Sequence, residues 1–220
     1  FSTCPLLESI VVEKGNTVYD SRNNCNAIIN TNYNEIISGC KNTVIPNGVT
    51  RIGSYAFYDC IDLVSIEIPS SVTTIANEAF WNCSSLKSIT IPSGVAEIKA
   101  SAFCGCSSLE SVVMSFGVTS IGNSVFAGCT SLVDIEIPNS VTTLGQNVFG
   151  ACTSLESIVI PESVRSIEVY LFRDCTALKS ITSLIPAEHL FTPRGEFNSL
   201  DKSGCTLYVP YGAKAEYASR

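Results

Sequence analysis

Basic residues and acid–base side chains are scarce in this 220-residue sequence. Lys and Arg number 13 against 20 Asp and Glu, the formal net charge is −7, and His189 is the only histidine. Because a chain of this charge does not attract a phosphate backbone, we do not expect nucleic acid as a partner. Hydrophobic residues make up 45% of the sequence and charged residues 15%, so the composition is globular.

Long apolar runs and catalytic motifs are also missing. No apolar stretch approaches the roughly 18 residues that cross a bilayer, and the segment after Phe1 lacks the basic start and apolar middle of a signal peptide. The sequence has no glycine-rich phosphate loop, no His-Glu-x-x-His motif and no nucleophile elbow. We therefore predict no membrane-spanning segment, no catalytic residues, no cofactor and no metal, and we interpret His189 as a solvated loop residue.

What the sequence does contain is a long internal repeat. Six cysteines follow one another at intervals of 23 residues: Cys60, Cys83, Cys106, Cys129, Cys152 and Cys175. Six phenylalanines keep the same interval: Phe57, Phe80, Phe103, Phe126, Phe149 and Phe172. A period between 20 and 29 residues with Leu-x-x-Ile-x-Ile in each copy is typical of leucine-rich repeats. The pattern predicts an α/β repeat solenoid, a right-handed, strand-rich array with one parallel strand per unit and short helical or irregular returns.

The unit reads Ile-Pro-x-x-Val-x-x-Ile-x-x-x-Ala-Phe-x-x-Cys-x-x-Leu-x-x-Ile-x, and this sequence resembles the BspA-like family of bacterial surface leucine-rich repeats. We predict one domain whose six units occupy residues 45–182. Phe1, Cys4, Leu7 and Ile10 fall in register with later units, so residues 1–44 are interpreted as a partial repeat with a hairpin insertion. Residues 183–220 are predicted to form a closing loop, strand and short helix.

Cysteine has two expected roles. The repeated thiols are predicted to be buried small hydrophobes, because a ladder of side chains about 4.8 Å apart does not converge on a metal as four zinc ligands must. In the inserted hairpin, a turn at Asn32 and Tyr33 would place Cys25 opposite Cys40. That pair forms either a disulfide or two packed thiols.

Two surfaces are candidate binding sites. The first is a strip of small, mildly acidic side chains that alternates with the buried residues of the strands: Ser65, Glu67, Ser88, Thr90, Ser111, Asp134, Glu136 and Ser157. It is either a recognition surface or a simply solvated sheet face. The second is an aromatic patch of Tyr55, Tyr58 and Trp81, which either stacks on a sugar or anchors a partner, or packs between neighbouring loops.

The function predicted from these features is recognition without catalysis. The family resemblance implies an extracellular or cell-surface-attached bacterial protein that contacts a host or cell-surface protein, or a glycan. Three other functions stay open: a glycan-binding module, a structural spacer without a ligand of its own, and an enzyme whose polar cluster the sequence does not reveal.

Overall fold

The computed structural model describes residues 7–189 and 204–218, so Phe1 and Cys4 lie outside the described residues. The chain forms a β-solenoid of about 6 turns, with parallel strands about 23 residues apart and little helix. The predicted fold class is therefore confirmed. Residues 45–182 contain no helix at all, and turns rather than helices return the chain from one strand to the next.

The inserted segment forms the predicted hairpin. Its strands are β1 (Tyr19–Asp20), β2 (Ala27–Asn30) and β3 (Glu35–Gly39). β2 pairs antiparallel with both β1 and β3, whereas β3 pairs parallel with the first strand of the repeat array. The hairpin is thus continuous with the solenoid sheet and does not interrupt it.

A first set of two-residue strands runs through all six units. These strands are β4 (Arg51–Ile52), β5 (Thr74–Ile75), β7 (Glu97–Ile98), β9 (Ser120–Ile121), β10 (Thr143–Leu144) and β12 (Ser166–Ile167). Together with the hairpin they form one nine-stranded sheet without a break, which we call the short ladder. Each unit therefore contributes a two-residue strand that the repeat pattern did not predict.

The predicted strands form a second set, which we call the long ladder. They are β6 (Ser88–Ile91), β8 (Ser111–Met114), β11 (Ser157–Ile160), β13 (Ser180–Ser183) and β14 (Thr206–Tyr208). The corresponding residues 65–68 and 134–137 form no strand. The long ladder is consequently divided into a two-stranded and a three-stranded parallel sheet.

The core consists of the columns predicted from the repeat. Phe80, Phe103 and Phe126 are fully buried, and the six phenylalanine rings stack on one another with centroids 4.9–6.0 Å apart. This spacing matches the distance between stacked strands, because one ring enters the column from each unit. The stack therefore fills the centre of the array from one end of the repeats to the other.

Two left-handed residues bracket the turn that carries the stacked phenylalanine of every unit. The first position holds Tyr55, Glu78, Ser101, Ser124, Asn147 and Tyr170, all with positive φ. The second holds Asp59, Asn82, Gly105, Gly128, Ala151 and Asp174, also with positive φ. Left-handed residues reverse the chain direction within a few residues, which lets the turn follow the phenylalanine column without a helix.

The C-terminal segment adds a strand and a short helix after the last repeat. β14 pairs parallel with β13, and α1 (Lys214–Ala218) follows it. The Tyr217 hydroxyl donates a hydrogen bond to the Ile185 carbonyl at 2.9 Å and lies 2.6 Å from the Ser183 hydroxyl. These bonds fasten the short helix to the last strand of the repeats.

Candidate functional site

The strand face is the surface formed by the outward residues of the long ladder and of residues 65–68 and 134–137. All eight residues of the predicted strip are exposed on it: Ser65, Glu67, Ser88, Thr90, Ser111, Asp134, Glu136 and Ser157. Their neighbours Ile89, Val112 and Ile158 are buried, as alternation along a strand requires. The geometry of the strip agrees with the sequence pattern, and its role in binding stays a prediction.

Aliphatic side chains interrupt this strip at its centre. Val113 and Val159 point outward from β8 and β11 with 54% and 49% of their surfaces exposed. Val64 and Val133, which directly precede the two unpaired segments, are 52% and 51% exposed. The strand face is therefore a mixture of valines, carboxylates and small hydroxyl side chains, and not only a small polar strip.

An open groove crosses the strand face at the unpaired residues 134–137. Its volume is about 440 Å³, and its walls include Asp134, Glu136, Asn139, Ser157, Val159 and Leu184. The strip predicted from the sequence includes three of these residues and omits Asn139, Val159 and Leu184. A sequence signal for the groove did exist, since only the units with an unpaired segment read Ile-Glu-Ile-Pro, at residues 66–69 and 135–138.

The aromatic patch is a compact stack. The rings of Tyr58 and Trp81 lie parallel with centroids 4.5 Å apart, and Tyr55 meets Tyr58 edge-on at 5.7 Å. Tyr55 is 51% exposed, whereas Tyr58 and Trp81 are half-buried. Each of these two rings covers a face of the other, which favours packing between neighbouring loops, one of the two predicted roles of the patch. Its role in binding stays a prediction.

Cys25 and Cys40 are both buried free thiols. The outer part of the hairpin keeps the expected pairing, with Asn30 opposite Glu35. A register shift between Ile28 and Ile29 then moves the rest of the hairpin by one residue. Cys25 and Cys40 are consequently not directly opposite, which corrects the geometric basis of the predicted pair and favours packed thiols over a bridge.

The repeated cysteines form a ladder of weak hydrogen bonds. Five of the six are buried, and Cys60 is half-buried at the start of the column. The Cys106 thiol donates to the Phe80 carbonyl at 3.2 Å, and four other members of the column, Cys83, Cys129, Cys152 and Cys175, make the equivalent bond. Burial raises the pKa of Cys106 to about 12, so these thiols stay protonated inside the array.

The repeats match the sequence model of a known protein family. The model for the BspA type leucine-rich repeat region matches residues 26–155 and 97–190, with 6 copies. The chain belongs to the BspA-type leucine-rich repeat family. A search of curated proteins finds no match.

Solved bacterial structures share the fold. A leucine-rich repeat protein from Bacteroides ovatus is 32% identical, with a TM-score of 0.65, over 76% of this chain and 41% of its own. One from Eubacterium ventriosum is 28% identical, with a TM-score of 0.71, over 79% of this chain and 48% of its own. A leucine-rich cell surface protein from Faecalibacterium prausnitzii is 27% identical, with a TM-score of 0.56, over 80% of this chain and 61% of its own. This BspA-type chain thus spans less than two thirds of each.

The remaining reactive side chains of this BspA-type array do not converge. His189 is exposed at the end of the 3-10 turn Ala187–His189. Cys104 is half-buried, and its pKa is raised by burial despite a hydrogen bond from Trp81. Within residues 7–189 and 204–218, no three His, Cys, Asp or Glu side chains are grouped to hold a metal ion. Leucine-rich repeat folds of this type are generally non-catalytic.

Among the described residues, no helix has the length and apolar character needed to span a bilayer.

Proposed function

We propose that this BspA-type module recognises a protein partner on its strand face and has no catalytic activity. The observation that carries the proposal is the exposure of Val113, Val133 and Val159 at the centre of that face. Half-exposed aliphatic side chains provide an apolar contact area. The carboxylates beside them provide polar groups that set orientation, as the polar rim of a protein interface does.

The position of the valines supports this function over a solvated sheet. Val113 pairs in register with Thr90, and Val159 pairs with Thr182, so both valines stand on well-ordered strands. Rigid strands hold an interface in one conformation before binding, which lowers the entropy lost on association. Valine favours the strand conformation whether or not a partner binds, and its exposed side chain adds an apolar area that a partner can cover.

The aromatic patch supports glycan binding less well. A sugar ring stacks on an exposed aromatic face, but Tyr58 and Trp81 cover each other at 4.5 Å. Tyr55, the most exposed of the three, directs its hydroxyl to the Glu78 carboxylate at 3.3 Å. These contacts account for the three rings as packing between neighbouring turns.

The proposed location is the bacterial cell surface or the extracellular medium. It rests on the BspA-type family and on the similarity to a protein described as a leucine-rich cell surface protein. An antibody against the repeat array should label intact cells of the source bacterium without permeabilisation. Labelling only after the cells are permeabilised would contradict the proposed location.

Binding by the purified chain tests the function. Surface plasmon resonance against extracellular-matrix proteins, with a glycan array in parallel, should identify a protein ligand. Val113→Arg and Val159→Arg should each weaken that interaction about tenfold or more, because central interface residues carry most of the binding energy. Trp81→Ala is the matched control away from the strand face and should leave the affinity unchanged.

Two results would contradict the proposed function. One is a ligand whose affinity ignores both valine substitutions but is lost with Trp81→Ala, which would favour glycan or protein binding at the aromatic patch. The other is the absence of any ligand across both screens, which would favour a spacer. Thermal unfolding of each variant verifies that the array stays folded.

A further inference from the structure

Two segments of the long ladder lack every hydrogen bond that their neighbours make. Residues 65–68 and 134–137 keep the outward and inward alternation of the paired strands. Yet within the described part of the chain, neither their backbone groups nor their side chains form a hydrogen bond or an ion pair. An unpaired backbone N–H or C=O is costly unless water or a ligand satisfies it, so these segments are open to a partner.

The outward glutamates distinguish the two unpaired segments from the paired ones. Glu67 and Glu136 occupy the position that holds Thr90, Val113 and Val159 in the paired strands. Glutamate is less favourable in strands than valine or threonine, and a carboxylate between aliphatic neighbours makes no stabilising cross-strand contact. The ladder is therefore weakest at the two units that carry an outward carboxylate.

The groove beside residues 134–137 is bounded at both ends. The Glu156 N–H donates to the Val133 carbonyl at 3.0 Å, which keeps the two units together where the groove begins. On the other side of the unit, β10 pairs with β12 in the unbroken short ladder. Because both ends stay at bonding distance, the groove has no room for an inserted strand, but it is open to a side chain.

The lining of the groove selects the kind of side chain. Asp134 and Glu136 provide two carboxylates, and neither is paired with a cation in the described part of the chain. Val159 and Leu184, which are 49% and 45% exposed, provide apolar walls. A long aliphatic stem that ends in a positive charge matches both features, since the stem covers the walls and the charged head meets the carboxylates.

We propose that this groove binds an arginine or lysine side chain of an extended segment of the protein partner. Asp134 and Glu136 accept hydrogen bonds from the cationic head, and the unpaired carbonyls of residues 134–137 supply further acceptors. The net charge of −7 also favours the approach of a basic segment. The inference rests on the proposed protein recognition and names the chemistry of its contact.

A pair of synthetic peptides tests the groove directly. The first is an eight-residue Ser/Thr/Val peptide with one central arginine, and the second replaces that arginine with citrulline, which has nearly the same shape without the charge. Titration into the labelled 220-residue chain should shift the backbone amide resonances of residues 134–137 and 157–160. The arginine peptide should bind about tenfold more tightly, as expected for charge-assisted hydrogen bonds.

Variants of the chain distinguish binding by the carboxylates of the groove from attraction by the negative charge of the whole chain. Asp134→Asn combined with Glu136→Gln should abolish the difference between the two peptides. Glu67→Gln is the matched control, because it removes a carboxylate from the other unpaired segment, and it should keep the difference. Equal binding of the two peptides, or amide shifts confined to other residues, would overturn the proposal.

The outcome is separable from that of the proposed function. If a protein ligand depends on Val113 and Val159 but the arginine peptide does not bind, the function stands and the groove proposal fails. If the peptide binds the groove and no protein ligand depends on the valines, the groove stands and the proposed function fails.

Discussion

The two ladders of this solenoid share one repeat and differ in continuity. The short ladder and the phenylalanine stack run through all six units without interruption. The long ladder loses its pairing at residues 65–68 and 134–137. Two-residue strands thus connect all six units, while longer strands with more potential hydrogen bonds pair only within two separate groups of units. Whether a ladder is continuous therefore depends on the side chains packed beneath its strands and on their outward residues, and not on strand length alone.

This difference separates stability from recognition within one unit. The continuous side carries buried aromatic rings, thiol hydrogen bonds and conserved turn geometry from unit to unit, so neighbouring units stabilise each other. The interrupted side leaves backbone groups, valines and carboxylates exposed to a partner. Substitutions on the two sides should therefore have different consequences, and four experiments test this, in order of decreasing effect.

The largest expected effect comes from the phenylalanine stack. Phe126 is fully buried, and its ring lies between those of Phe103 and Phe149 at 5.8 and 6.0 Å. Phe126→Ala should lower the free energy of unfolding by about 3–5 kcal/mol, the usual cost of deleting a buried aromatic ring. Denaturant unfolding measures it, with Phe116→Ala as the control because Phe116 is 76% exposed. A cost below about 1 kcal/mol for Phe126→Ala would contradict the stacked core.

Proline substitutions compare the paired and unpaired parts of the long ladder. Thr182 lies in β13 between β11 and β14, so its N–H is directed at a neighbouring strand. Glu136 occupies the same column, but its N–H has no partner among residues 7–189 and 204–218. Thr182→Pro should therefore cost about 1–3 kcal/mol more than Glu136→Pro, the price of a lost backbone hydrogen bond. Equal losses in urea unfolding would show that residues 134–137 pair in solution.

Much of this architecture could be predicted from the sequence because the same residue types recur at the same positions of every unit. The columns of Phe126 and Cys129 predicted the core, and the alternation around Ser111 and Asp134 predicted the strand face. A hydrophobic side chain that recurs at every turn must lie in the shared interior of the stacked units, so the period also predicts which side chains are buried.

Features that depend on backbone pairing could not be predicted in the same way. Residues 134–137 have the same alternation as the paired residues 111–114, and the outward positions differ only in carrying Asp134 and Glu136 where β8 carries Ser111 and Val113. The register shift between Ile28 and Ile29 is not marked by proline or by a change in the hydrophobic pattern, so the sequence predicts Cys25 opposite Cys40. The spacing of Tyr58 and Trp81 by one unit indicates that they lie on neighbouring turns, but not that their stacking leaves both rings half-buried.

The thiol ladder makes the continuous side sensitive to alkaline pH. The pKa of Cys106 rises from an ordinary value of 9.0 to about 12 because burial disfavours the thiolate. The unfolded thiol ionises first, so this contribution to stability is complete below pH 9 and is lost between pH 9 and 12. By pH 10, one unit above the pKa of the unfolded thiol, the free energy of unfolding has lost about 1.4 kcal/mol of this contribution. Urea unfolding should show that the free energy of unfolding falls between pH 8 and pH 10, and that it falls by about 1.4 kcal/mol less in Cys106→Ala than in the unsubstituted chain. An equal drop in both proteins would contradict a buried, neutral thiol.

The smallest expected effect concerns the second left-handed position of the turns. Ala151 has a φ of 56°, whereas Gly105 and Gly128 occupy the same position two units and one unit earlier with φ of 76° and 75°. A side chain in this conformation costs about 1 kcal/mol, part of which glycine offsets through its greater freedom when unfolded. Ala151→Gly should therefore raise the free energy of unfolding by about 0.5 kcal/mol. Gly128→Ala is the reverse control and should lower it by a similar amount, since a Cβ there meets only Gly105 at an ordinary contact distance of 3.5 Å. If both substitutions destabilise the array, packing around the Ala151 methyl group, and not backbone conformation, decides which residue this turn prefers.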